Sequence, residues 1–223
     1  MKKQKEFLTG VILTLLAVTA VFVTEQVFQP GYALKSAIKV LSFMGAVLLY
    51  CSITRRKLTD VIRLYKIENP KPLFFYMLCF FVGTAAAFLL FSDFLDLPGI
   101  RQSLMTKENL TKNNCIFVFL YIIFCNSFLE ESFFRGFVSG IFPNKRVGSI
   151  FSAVLFSLYH IGIFATWFSP FIFILCLAGL AAVGLFLQWL SEKYKSVLAS
   201  YITHACANVA IDLIGVLLIF EWI

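Results

Sequence analysis

Charge is scarce in this chain. Only 14% of its 223 residues are Asp, Glu, Lys or Arg, against about 25% in an ordinary soluble domain. Histidine occurs twice. The six cysteines, Cys51, Cys79, Cys115, Cys125, Cys176 and Cys206, form no CxxC pair. Neither a disulfide framework nor a cysteine zinc site follows from such spacing, and burial as small hydrophobes is their expected role. HExxH, internal repeats and low-complexity tails are also missing. What fills the chain instead is apolar: 60% of residues are hydrophobic, with 27 Phe spread along the whole length. One soluble core of this size needs far less, so the expected fold is all-α, a polytopic membrane helix bundle.

The formal charge of +7 could point to nucleic acid. A nucleic-acid binder, however, gathers its basic residues with stacking aromatics on one exposed face. Here they lie in short strips between apolar runs, so the lipid bilayer is the expected partner and nucleic acid is not.

A membrane-crossing helix needs about 20 apolar residues. Seven candidate spans meet that measure: Phe7–Gln29, Ala33–Ile53, Leu73–Phe91, Cys115–Phe142, Val147–Ile163, Trp167–Leu190 and Ser196–Phe220. Three fall in an N-terminal region, 1–114, and four in a C-terminal region, 115–223. The first has the outline of a signal peptide, but its apolar run is long and no small-x-small site closes it; it reads as an uncleaved helix. Between the spans, Thr54–Lys71 reads as an amphipathic surface segment and Ser92–Asn114 as a loop.

Basic residues set orientation. Thirteen Lys and Arg fall on one side, in the N-terminal strip, in 55–71, at Lys145 and Arg146, and at Lys193 and Lys195. Five fall on the other: Lys35, Lys39, Arg101, Lys107 and Lys112. The expectation is an integral, multi-pass protein of a bacterial cell membrane with its N-terminus in the cytoplasm.

Against this background the polar residues inside spans stand out. The fourth span holds Asn126, Glu130, Glu131 and Arg135, the fifth His160, and the seventh His204, Asn208 and Asp212. At the helical rise, Glu130 and His160 lie about 20 Å from the turn at 143–146, and Asn208 and His204 about 18 Å and 12 Å from the start of their own span at Ser196. Three helices therefore bring polar groups to similar depth. Residues four apart share a helix face, so Asn126 joins Glu130, Glu131 joins Arg135, and His204, Asn208 and Asp212 form one stripe. Intramembrane ionisable groups face protein or water and mark functional sites. Taken singly, Glu131–Arg135 is also a structural ion pair, each histidine an interhelical hydrogen-bonding group, Asn208 helix–helix glue, and Phe156 a core aromatic. It is their conjunction that points to chemistry.

Together these residues spell EExxxR (Glu130–Arg135), FxxxH (Phe156–His160) and HxxxN (His204–Asn208). In that order, and each in an apolar span, they resemble the CAAX-protease and bacteriocin-processing family of intramembrane proteases, which includes the type II prenyl-protein endopeptidase and the bacterial Abi proteins. The resemblance implies a water-accessible cavity and hydrolysis of a peptide bond in a peptide or protein substrate, lipidated or hydrophobic. Carried over position by position, Glu130 is the base on water, assisted by His160. His204 and Asn208 stabilise the oxyanion, and Glu131 with Arg135 supports the site. The resemblance leaves two mechanisms open, a metal-free glutamate or a divalent metal such as zinc held by Glu130, His160 and His204. Two other readings stand beside catalysis: a non-catalytic Abi-like scaffold in bacteriocin immunity or regulation, and a proton-coupled transporter, for which no inverted repeat is visible.

Overall fold

The computed structural model describes residues 2–164 and 168–223. Among them every regular element is a helix, with no strand. Helix α1 (Lys2–Val23) runs into a π-helical end at Thr24–Phe28, and α2 (Tyr32–Thr54) returns. A short α3 (Leu58–Val61) precedes α4 (Leu73–Phe91) and α5 (Leu97–Thr106). One continuous rod then follows: α6 (Cys115–Tyr121), a π-helical stretch Ile122–Asn126, α7 (Ser127–Glu131), and a second π-helical stretch Ser132–Val138. Helices α8 (Lys145–Tyr159), α9 (Ile161–Phe164), α10 (Pro170–Lys193) and α11 (Val197–Ile219) complete the chain.

Six of these elements are long and apolar enough to cross a membrane. The remaining crossing is α8, whose 15 residues make only about 22 Å of helix. It still passes from one end of the bundle to the other. Ser149 near its start binds Glu192 (3.2 Å), and just beyond its end the Gly162 carbonyl accepts from Gln26 Nε2 (2.6 Å). The chain is an integral membrane protein, and among the described residues seven helical elements, α8 included, pass through its bundle. The expected start of the sixth span at Trp167 lies outside the described residues; the helix itself begins with Pro170 at its first position, where proline loses no hydrogen bond.

Contacts sort the loops as the basic residues do. At one end Arg56 pairs with Glu6 (2.6 Å) and the Val197 amide donates to the Arg63 carbonyl (3.1 Å). At the other end Lys35 bridges Glu25 (2.9 Å) and Glu108 (2.7 Å).

Four sequence expectations need correcting. Ser92–Asn114 is not a simple loop, because Asp96 caps α5 by accepting the Gly99 amide (3.0 Å) and so satisfies an orphan donor of its first turn. Thr54–Lys71 is not wholly at the surface, since Val61 and Ile62 enter the core. Only Cys51 and Cys115 are buried; Cys79 and Cys125 lie on outward faces, where lipid makes burial against protein unnecessary. Lys35 and Lys39 are not orientation charges at a loop: both lie within α2, and Lys35 is 6% exposed.

The core is built around the α6–α7 rod. Phe133 stacks on Phe43 of α2 at 4.0 Å, and Phe134 meets the same ring edge-on at 5.6 Å. Gly136 permits a close approach of the rod to α3, because a Cβ there would lie 2.6 Å from the Ile62 carbonyl oxygen and 2.7 Å from its Cα. The rod's acidic residues are thereby held at the centre of the bundle.

Candidate active site

Glu130 and Glu131 are adjacent on α7 and point into different surroundings, as a helical step of about 100° requires. Both are buried, at 2% and 0% exposure. One oxygen of Glu130, Oε1, accepts three hydrogen bonds: from Asn126 Nδ2 (3.0 Å), Lys39 Nζ (3.1 Å) and the Tyr159 hydroxyl (3.2 Å). Its other oxygen, Oε2, faces His204 Nε2 at 3.9 Å, too far for a direct hydrogen bond and a gap that one water can bridge.

Glu131 belongs to a second chain of contacts. Its Oε1 accepts from His204 Nδ1 at 3.0 Å, and its Oε2 lies 3.3 Å from Arg135 Nε. The latter contact is an ion pair without good hydrogen-bond alignment. Arg135 is completely buried and donates through Nη1 to Ser152 Oγ (3.3 Å), while its guanidinium lies 4.4 Å over the Phe156 ring. That geometry gives Phe156 an energetic role through cation–π attraction. A carboxylate can only accept, so His204 Nδ1 carries a proton toward Glu131 and the ring is oriented with Nε2 toward Glu130.

His160 follows Tyr159 at the end of α8. Its Nδ1 donates to the Phe156 carbonyl at 2.7 Å, and its ring meets Phe156 and Tyr159 edge-on at 4.6 and 4.9 Å. It is near enough to Glu130 to interact with it electrostatically. Asn208 Nδ2 donates to Ser127 Oγ at 2.8 Å. Asp212, the third member of the α11 stripe, is buried with no protein partner for Oδ2 among the described residues.

The structure thus brings Glu130, Glu131, Arg135 and His204 into one contact network, with His160 and Asn208 at its margin. Among the partners of Glu130 and Arg135, three went unread in the sequence: Lys39, Tyr159 and Ser152. Lys39 left a signal, because Lys35 and Lys39 sit one turn apart in an otherwise apolar helix. Tyr159 and Ser152 left none that separates them from ordinary core residues.

As a metal set, Glu130, His160 and His204 do not fit this arrangement. Among the described residues no three His, Cys, Asp or Glu side chains converge closely enough to hold an ion. The Lys39 ammonium beside Glu130 would also repel a dication.

A multi-pass helical membrane protein with buried acids, arginine and imidazole drawn from separate helices is the class that this fold and site define. Residues 112–210 match the family model described as type II CAAX prenyl endopeptidase Rce1-like, and all seven residues of the three motifs lie within that stretch. No curated protein and no solved structure matches the chain.

Proposed function

We propose that this protein is an intramembrane endopeptidase that hydrolyses a peptide bond in a hydrophobic or lipidated peptide or protein. The observation that carries the reading is the 3.9 Å gap between Glu130 Oε2 and His204 Nε2, in a buried site within the Rce1-like segment.

A water in that gap lies within reach of a base, which is the first geometric need of hydrolysis. Glu130 Oε2 takes its proton, with His160 assisting, and the hydroxide adds to the substrate carbonyl. The tetrahedral oxyanion then needs donors aimed at it. His204 supplies one when Nε2 is protonated. Asn208 supplies another, since its amide carries two N–H groups and Ser127 accepts only one in this arrangement. The proton held by Glu130 passes to the departing amine. Glu131 fixes the His204 ring, and Arg135 balances the charge of Glu131. This route runs on the chain's own residues without a metal, in keeping with the poor fit of the donor set.

The setting we infer is a bacterial cell membrane with the N-terminus in the cytoplasm. With Lys35 and Lys39 drawn into the bundle, thirteen basic residues face three across the loops, which sharpens the asymmetry behind that orientation.

The test is cleavage of a panel of hydrophobic and C-terminally lipidated fluorogenic peptides by purified protein, with Glu130→Ala alongside and with chelator in a parallel arm. The expected result is a loss of roughly 100-fold or more in Glu130→Ala, the scale of a general base, and no effect of chelator. Equal rates for wild type and Glu130→Ala would remove Glu130 as the base, and no cleavage by wild type would leave the scaffold reading in its place. Loss with chelator would transfer the chemistry to a metal.

A further inference from the structure

We propose that Lys39, on α2 and outside the matched residues 112–210, is a positioning residue of this site. It is the counter-ion that fixes one oxygen of Glu130 so that the other meets water. The proposal rests on the peptidase reading above.

The geometry separates the two oxygens of the carboxylate. Lys39 Nζ donates to Glu130 Oε1 at 3.1 Å and to Asn126 Oδ1 at 2.7 Å, while Asn126 Nδ2 donates to the same Oε1 at 3.0 Å. Lysine, amide and carboxylate therefore close a ring of three hydrogen bonds. Lys39 also lies 5.0 Å over the Tyr159 ring, whose hydroxyl adds the third donor to Oε1. These three donors converge on Oε1, which leaves Oε2 as the working oxygen opposite His204.

Charge leads to the same residue. Two carboxylates are buried side by side, and Arg135 is committed to Glu131. Lys39 is the fixed cation within ion-pair distance of Glu130 among the described residues, with its side chain 12% exposed. Lys35, one turn away, is spent on Glu25 and Glu108 and cannot substitute. An N-terminal helix that carries none of the three motifs thus completes the balance of the site, two acids against two bases.

The experiment uses the full chain in lipid nanodiscs and has two readouts. The first is thermal unfolding of Lys39→Met, Glu130→Gln and the double variant. A buried ion pair predicts that the double variant retains more stability than the two single losses summed, because neither charge is left alone; additive losses would overturn the pair. The second is turnover of a peptide that wild type cleaves. Lys39→Met is expected to lose on the order of 100-fold in kcat, the scale of one preorganised electrostatic contact, with KM little changed, and Lys39→Arg to recover most of it. Lys39→Ala should be rescued by added n-propylamine and not by n-propanol. A merely space-filling lysine would respond equally to both additives, and wild-type turnover in Lys39→Met would overturn the role outright. Failure of the underlying reading looks different: wild type cleaves nothing, or Glu130→Ala cleaves as wild type does. Either result removes the positioning role as well, while the stability cycle still judges the ion pair.

Discussion

Glu131 and Arg135 are both fully shielded from solvent, and energetics at this depth are governed by what remains when one of them is removed. An unpaired buried charge costs about 3–5 kcal/mol. Arg135→Met is therefore expected to lower the unfolding temperature strongly, whereas Glu131→Gln combined with Arg135→Met recovers much of the loss; differential scanning fluorimetry of the three proteins measures both. Phe156 lies between the Arg135 guanidinium and the edges of the His160 and His204 rings, at 4.4, 4.6 and 5.9 Å. Phe156→Ala should cost roughly 3 kcal/mol, as large core truncations do, and lower kcat as the imidazoles lose their wall. Residue by residue, the six polar motif positions were legible because a charged, imidazole or amide side chain stands out in an apolar run. Lys39 was not, because a lysine near a helix end reads equally well as an orientation charge. Its pairing with Glu130 spans 91 positions of chain, and no local pattern reports such a contact.

At the scale of elements, the long spans were legible because hydropathy and length fix them, and Leu73–Phe91 matches its expected bounds at both ends. The widened turns on either side of Glu130 were not. They leave both i, i+4 pairs of the rod intact, Asn126 with Glu130 at 3.0 Å and Glu131 with Arg135 at 3.3 Å, so the spacing rule reads the same with or without them. Such π-helical stretches recur at functional sites. Helix α5 was hidden by LPG, which reads as a turn although Asp96 ahead of it makes a cap. The approach of the rod to Ile62 yields a paired prediction. Gly136→Val should destabilise by about 1–3 kcal/mol, since added carbon meets backbone rather than a mobile side chain. Gly179→Ala on α10, where nothing lies within 4 Å, should be neutral or slightly stabilising through helix propensity. Unfolding temperatures in one detergent decide between them.

Over the whole molecule, polarity is arranged with apolar side chains outward and ionised ones inward. Leu89, Leu90 and Phe171 are more than 70% exposed, while Glu131 and Arg135 have no exposure. That inversion suits a hydrocarbon surround, where buried polar groups must find partners within the protein. The resulting orientation is testable by single cysteines in a background lacking the six native ones. A cysteine at Glu68 should react with an impermeant thiol reagent only from the cytoplasmic side, and one at Lys107 only from the opposite side. The domain division at residue 114 was drawn from where the motifs begin, and a boundary based on motifs gives no weight to helices that supply one ammonium group. The Lys39–Glu130 contact ties α2 to the motif-bearing helices across that boundary. The most direct test of the account is a single turnover in oxygen-18 water, wild type beside the isosteric Glu130→Gln, with mass analysis of the released carboxyl terminus. Label is expected at the new carboxylate for wild type and essentially none for Glu130→Gln; equal labelled product from both would contradict Glu130 as the base.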